Sequence, residues 1–94
     1  MVNLLPIGTV VQLTGKEFPT MIVGYGIESR VTPGAFYDYA GFPYPMGFTS
    51  TYDEELFSTP DIEKIIVMGF QDEESLDFLT KLNKALIENS ERKE

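Results

Sequence analysis

The chain predicts an α+β domain in which a curled antiparallel sheet is covered by one C-terminal amphipathic helix. Three observations carry this. Short β-branched and apolar runs, separated by Gly, Pro and polar turns, fill the chain up to Phe70. From Asp72 onward, apolar residues recur at steps of three and four. Gly24 and Gly26 interrupt an otherwise regular strand, in the manner of the bulges and bends that curl a sheet toward a barrel. A single helix laid over such a sheet buries the apolar face of each. The favoured shape is an SH3-like partial barrel.

The elements follow in order. Thr9-Val10-Val11-Gln12-Leu13 reads as a strand, and Thr20 to Ile27 as a second. The polar turn Thr14 to Pro19 joins them as an antiparallel hairpin. Glu28 to Ala35 is a loop. Phe36 to Phe42 is a third strand, with Phe36, Asp38, Ala40 and Phe42 on one side and Tyr37, Tyr39 and Gly41 on the other. Pro43 and Pro45 lack the N–H a ladder needs, so Phe42 to Gly47 is expected to be a rigid exposed turn. Phe48 to Tyr52 is a candidate fourth strand. Ser58 or Thr59 before Pro60 opens a single helical turn. Ile65 to Phe70 reads as a buried strand. Asp72 caps the long helix, with Glu73 and Glu74 favourably placed in its first turn. Leu76, Leu79, Leu82 or Asn83, and Leu86 form its apolar stripe at steps of three or four, with Phe78 and Ala85 beside it. One domain spans residues 1–94, and 89–94 is expected to fray.

Ninety-four residues bury roughly 60–65% of the unfolded surface, so the stability margin is thin. The chain has no Cys, hence no disulfide framework and no thiolate nucleophile. No basic n-region precedes an apolar run at the N-terminus, so no secretory signal is expected. No stretch is long and apolar enough to span a membrane. The net charge of −8 is localised: between Asp53 and Asp77 stand nine carboxylates and one base, Lys64, while six acids and six bases balance elsewhere. Such a surface repels nucleic acid and anionic membranes and suits a cationic protein partner.

Little here points to catalysis. The chain has no His, which removes the commonest general base and metal ligand. Asp53-Glu54-Glu55 and Asp72-Glu73-Glu74 are consecutive runs, without the alternate spacing, central Gly and terminal Glu of a regular calcium loop. No cofactor and no dedicated metal site are expected. The stronger signal is aromatic: seven of the twelve aromatic residues lie between Phe36 and Tyr52. Tyr44 stands between two prolines, where a rigid exposed ring loses little entropy on binding. The expected partner-binding residues are Tyr37, Tyr39, Tyr44 and Phe48. The carboxylates of Asp53, Glu54, Glu55, Asp72, Glu73 and Glu74 would steer a basic partner.

Four segments also carry a family resemblance: Leu5-Pro6-Ile7-Gly8-Thr9-Val10-Val11; Met21-Ile22-Val23-Gly24; Tyr37-Asp38-Tyr39 leading to Pro43-Tyr44-Pro45 and Gly47; and Asp61-Ile62-Glu63-Lys64-Ile65-Ile66 ending in Gly69-Phe70-Gln71-Asp72-Glu73. In this order they resemble a family of short acidic proteins of undefined function, encoded in type VII secretion and polymorphic-toxin loci of Gram-positive bacteria. The chain departs from the family pattern at Thr59-Pro60 and at Phe70. The resemblance implies a cytoplasmic, non-enzymatic chaperone or adaptor that binds a secreted effector of the WXG or LXG type. An immunity protein that inhibits a cognate toxin is the alternative. A small ligand-binding enzyme and a homo-oligomeric subunit, paired as a homodimer through a sheet edge at Ile65 to Phe70, are the others.

Overall fold

Among the described residues, five strands form one antiparallel sheet in the order β4-β3-β2-β1-β5, and one helix packs on it. The computed structural model describes residues 4–29 and 31–92, with side chains described as far as residue 87. The strands are β1 (Val10–Leu13), β2 (Thr20–Glu28), β3 (Phe36–Pro43), β4 (Glu55–Phe57) and β5 (Ile62–Val67), and the helix is α1 (Glu73–Arg92). The expectation of a frayed tail falls on residues whose side chains, and for 93–94 the backbone, lie outside the described residues.

The sheet curls because its edges are tethered. β4 and β5 are the two edge strands, and residues 58–61 alone join them. Four flat inter-strand steps would separate the edges by ~19 Å. Most of the link is a 3-10 turn, Thr59–Asp61, which rises only ~2 Å per residue. So short a link is met by folding the sheet round. Bulges assist: β2 slips register against β3 between Ile22 and Gly24, and β5 slips twice against β1. β4 and β5 do not pair with each other, so the barrel stays open. The 3-10 turn is fastened to β3, where Asp38 Oδ2 accepts from the Thr59 N–H at 3.0 Å and Ser58 Oγ accepts from the Asp38 N–H at 3.2 Å.

Alternation decides what the helix covers. Val11 and Leu13 of β1, Ile22 of β2, Tyr39 of β3 and Phe57 of β4 project to one side, where Leu79 of α1 and Leu4 complete the core. Leu82 and Leu86 pack against it. Leu86 lies so close to Gly26 that an added Cβ there would stand 3.0 Å from its Cδ2, and Gly26 also has φ +59°. Only glycine meets both demands without strain. Gly26 is thus the point where the helix touches the bent strand.

The segment leading into β1 is held at Leu5 by two tyrosines. Tyr39 Oη accepts from the Leu5 N–H at 3.0 Å, and Tyr25 Oη donates to the Leu5 carbonyl. Both polar groups of one peptide segment are thereby satisfied without a strand partner. The rings lie 5.9 Å apart, and Tyr39 stacks on Phe57 at 5.3 Å. Burial, with a smaller contribution from neighbouring Tyr39, pushes the Tyr25 hydroxyl up to about 12, and burial raises Tyr39 as well. A group whose folded pKa is raised lends stability that is complete below its unfolded value and fades as pH climbs through the folded one. Between pH 10 and about 12, phenolate absorbance should therefore rise together with loss of far-UV circular dichroism. Ionisation of Tyr25 with an unchanged dichroism spectrum would contradict this clamp.

Four expectations are corrected. Phe48 to Tyr52 is not a strand: Thr51–Asp53 forms a 3-10 turn, closed by Ser50 Oγ accepting from the Tyr52 N–H and by a Thr49–Asp53 side-chain hydrogen bond. The strand that follows is Glu55–Phe57. Phe42 and Pro43 do join the ladder, opposite Met21 and Thr20, because Pro43 ends the strand. Ile65 to Phe70 is not buried. β5 lies at an edge and ends at Val67, with Ile65, Ile66, Val67, Met68 and Phe70 all exposed. The apolar stripe of α1 is shorter than its periodicity suggests, since Leu76 and Phe78 are exposed while Leu79 is buried.

Candidate partner-binding surface

β3 ends in the Pro43 to Glu54 connection, and this connection carries the aromatic side chains that the core leaves out. Its backbone is pinned at two points: the Tyr44 N–H donates to the Pro19 carbonyl at 2.8 Å, and the Gly47 N–H donates to the Pro43 carbonyl at 2.7 Å. Tyr44 is 48% exposed, Phe48 66% and Tyr52 97%, with Met46 exposed beside them. Phe48 is nevertheless placed. Its ring meets Phe42 edge-on at 5.0 Å, and Phe42 is buried on the sheet face that the helix does not cover. An aromatic that rests on a fixed neighbour is partly preorganised for contact.

That uncovered face has its own apolar row. Register places Val67, Val10, Met21 and Phe42 opposite one another across β5, β1, β2 and β3, and directly opposed residues project to the same side. Phe48 sits at one end of this row.

The sequence-predicted site residues separate into three groups. Tyr44, Phe48, Asp53 and Glu54 all lie exposed on the one connection, and Glu55 follows them, half-buried and accepting from Thr20 Oγ1 at 2.7 Å. Tyr39 is a correction: it is fully buried (0% exposed) at the centre of the core and is not available to a partner. Tyr37 points to the same side of β3 and is half-buried, opposite Ile27. The strand is aromatic on both sides, so alternation alone did not say which side the helix would take. Asp72, Glu73 and Glu74 form the third group. β4 and β5 run in the same sense, one leading into the other, so carboxylates before β4 and after β5 lie at opposite ends of that path.

The third group has a structural duty at the helix start. Asp72 Oδ1 accepts from the Ser75 N–H at 2.8 Å, and Ser75 Oγ accepts from the Asp72 N–H at 2.9 Å. This reciprocal cap satisfies a free helix donor. The Ser75 hydrogen bonds hold the Asp72 carboxyl below its ordinary value. Its support for the helix is present above that ordinary value and is lost as pH falls through the lowered one.

Sequence reasoning does not find Tyr52, the most exposed aromatic of the connection, because its β-favouring neighbours suggest a strand there. Of the exposed apolar row along β5 and the start of α1, the sequence offers the Ile65 to Phe70 edge only as a dimer contact, and Leu76 and Phe78 only as part of the helix's buried stripe. Among the described residues, no group of three or more acidic side chains is arranged to hold a metal ion, and no helix is long and apolar enough to cross a membrane.

No curated protein and no solved structure matches the chain. A family match covers residues 4–78, from the first core leucine to the opening turns of α1 and through all five strands. The chain belongs to the family described as domain of unknown function, DUF4176.

Proposed function

We propose that this protein is a non-enzymatic binding module, a chaperone or adaptor for a type VII secreted effector, acting in the cytoplasm. The observation that carries the binding role is the exposed, backbone-pinned aromatic connection. Tyr44, Phe48 and Tyr52 are exposed on the connection that also carries Asp53 and Glu54, and the start of that connection is tied to Pro19 and Pro43 through the Tyr44 and Gly47 N–H groups. Exposed rings backed by a rigid support are the residues that dominate protein interfaces. Flanking carboxylates favour encounter with a basic surface and make it salt-dependent. The effector class rests on the resemblance of the four sequence segments.

The test is complex formation with a WXG- or LXG-type effector encoded beside it, followed by calorimetry at low and high salt. The Tyr44→Ala, Phe48→Ala double variant should keep the fold, since neither side chain belongs to the core under the helix. It should bind at least ~30-fold more weakly, the loss of a ~2 kcal/mol interface hot spot. Undiminished affinity in the folded variant would remove the aromatic connection from the interface. Blocked toxin activity in the complex, rather than improved effector solubility or export, would move the reading to immunity.

A further inference from the structure

The edge opposite the aromatic connection presents a second surface of a different kind. β5 pairs with β1 on one side, and among the described residues no strand pairs with its other side. Ile65, Ile66, Val67 and Met68 are each about half exposed, and Phe70 is 78% exposed. Edge strands are normally blunted by charge, proline or shortness, yet from Ile65 to Phe70 there is no charged residue and no proline. The two bulges of β5, at Glu63 and Ile66, shorten the regular stretch and limit indiscriminate pairing. The side chains and charges around the edge then select what joins it.

Charge separates the occupants. Asp61 and Glu63 lie at the start of β5, and Asp72, Glu73 and Glu74 follow its end, all exposed, against Lys64 alone. A second copy, paired antiparallel about Ile66, would set Glu63 of each chain beside the segment leading into Asp72, Glu73 and Glu74 of the other. Each copy also brings a net charge of −8. Like charges so placed oppose association. An extended segment with alternating apolar and basic residues meets the same edge favourably, with its backbone completing the ladder and its cations facing the carboxylates.

We infer that the outer edge of β5 is a docking site for an extended, cationic β-strand of a partner protein, separate from the aromatic connection. The protein then has two contact surfaces, one that takes side chains and one that takes backbone.

The test uses the full chain, isotope-labelled for NMR, and a short synthetic peptide alternating valine and lysine. Two control peptides accompany it: one with glutamate for lysine, and one with alternate backbone nitrogens methylated at unchanged charge. The expected result is saturable amide shifts centred on residues 65–68, at least ~tenfold weaker binding of both controls, and similar weakening in Ile66→Glu. The Tyr44→Ala, Phe48→Ala variant should bind the peptide as the parent does. Equal binding of the methylated peptide, showing charge attraction without strand pairing, would overturn the proposal. So would shifts centred on residues 44–54, an absence of binding, or a dimer in sedimentation that Ile66→Glu dissociates.

Discussion

Replacing Phe57 with Ala should lower the unfolding free energy by about 3–5 kcal/mol, the range found when a large buried aromatic is truncated. Phe57 is 2% exposed, and its ring stacks on Tyr39 at 5.3 Å. It belongs to β4, the shortest strand, which is attached to the sheet through β3 alone. Losing the ring removes apolar burial, leaves a void beside Tyr39, and loosens the tether that curls the sheet. A domain of this length has a total stability on the order of 5–14 kcal/mol, so the variant loses a large share. Urea unfolding followed by circular dichroism reads the change as a lower midpoint at similar slope. A loss below ~1 kcal/mol would mean that the site collapses around the deletion and that Phe57 does not hold the edge. Tyr39→Phe is the milder companion. It keeps the ring and removes the hydroxyl that accepts from Leu5, which costs about 1–3 kcal/mol if the Leu5 N–H is left unsatisfied.

Much of this fold was legible in the sequence, for local reasons. The first hairpin, the bulge near Gly24, the Ser58–Asp61 turn and the cap at Asp72 are each specified by neighbouring residues. The sides of β3 were legible too, with Tyr37, Tyr39 and Gly41 together against Asp38, Ala40 and Phe42. Which side becomes core depends on where α1 lies, and both sides carry aromatics. The same limit explains β5. Ile65-Ile66-Val67 has the composition of a buried central strand, and nothing local says that it closes the sequence order at an edge. Burial there is a property of topology, since strand order places β5 beside β1 and beyond it no described strand follows. The binding surface divides in the same way. Pro43 and Pro45 announce that Tyr44 stands on a turn. The exposure of Tyr52 depends on a Ser50-capped turn that its β-favouring neighbours conceal.

Gly69→Ala should be comparable in damage to the loss of Phe57, although it adds a single methyl group. The segment after β5 passes directly over the start of β1. A Cβ at residue 69 would lie 2.2 Å from the Ile7 carbonyl oxygen, 2.8 Å from the Thr9 nitrogen and 2.9 Å from the Gly8 carbonyl carbon. All three obstacles are backbone atoms, so no rotamer change relieves the contact. The approach is also bonded: the Gly69 N–H donates to Thr9 Oγ1 at 3.0 Å, and Thr9 is fully buried. Moving the segments apart breaks that hydrogen bond in a buried place, a further ~1–3 kcal/mol beyond the ~1–3 kcal/mol typical of overpacking. The sum is about 2–6 kcal/mol, borne at the junction that aims α1 across the core. The expected result is a thermal midpoint lowered by roughly 10 °C or more for a domain of this size, with hydrogen-exchange protection lost first in β1 and β5. Thr9→Val separates the two contributions, because it keeps the shape and removes the hydroxyl. A Gly69→Ala variant with unchanged stability would show that residues 7–9 and 69 do not make this close backbone contact.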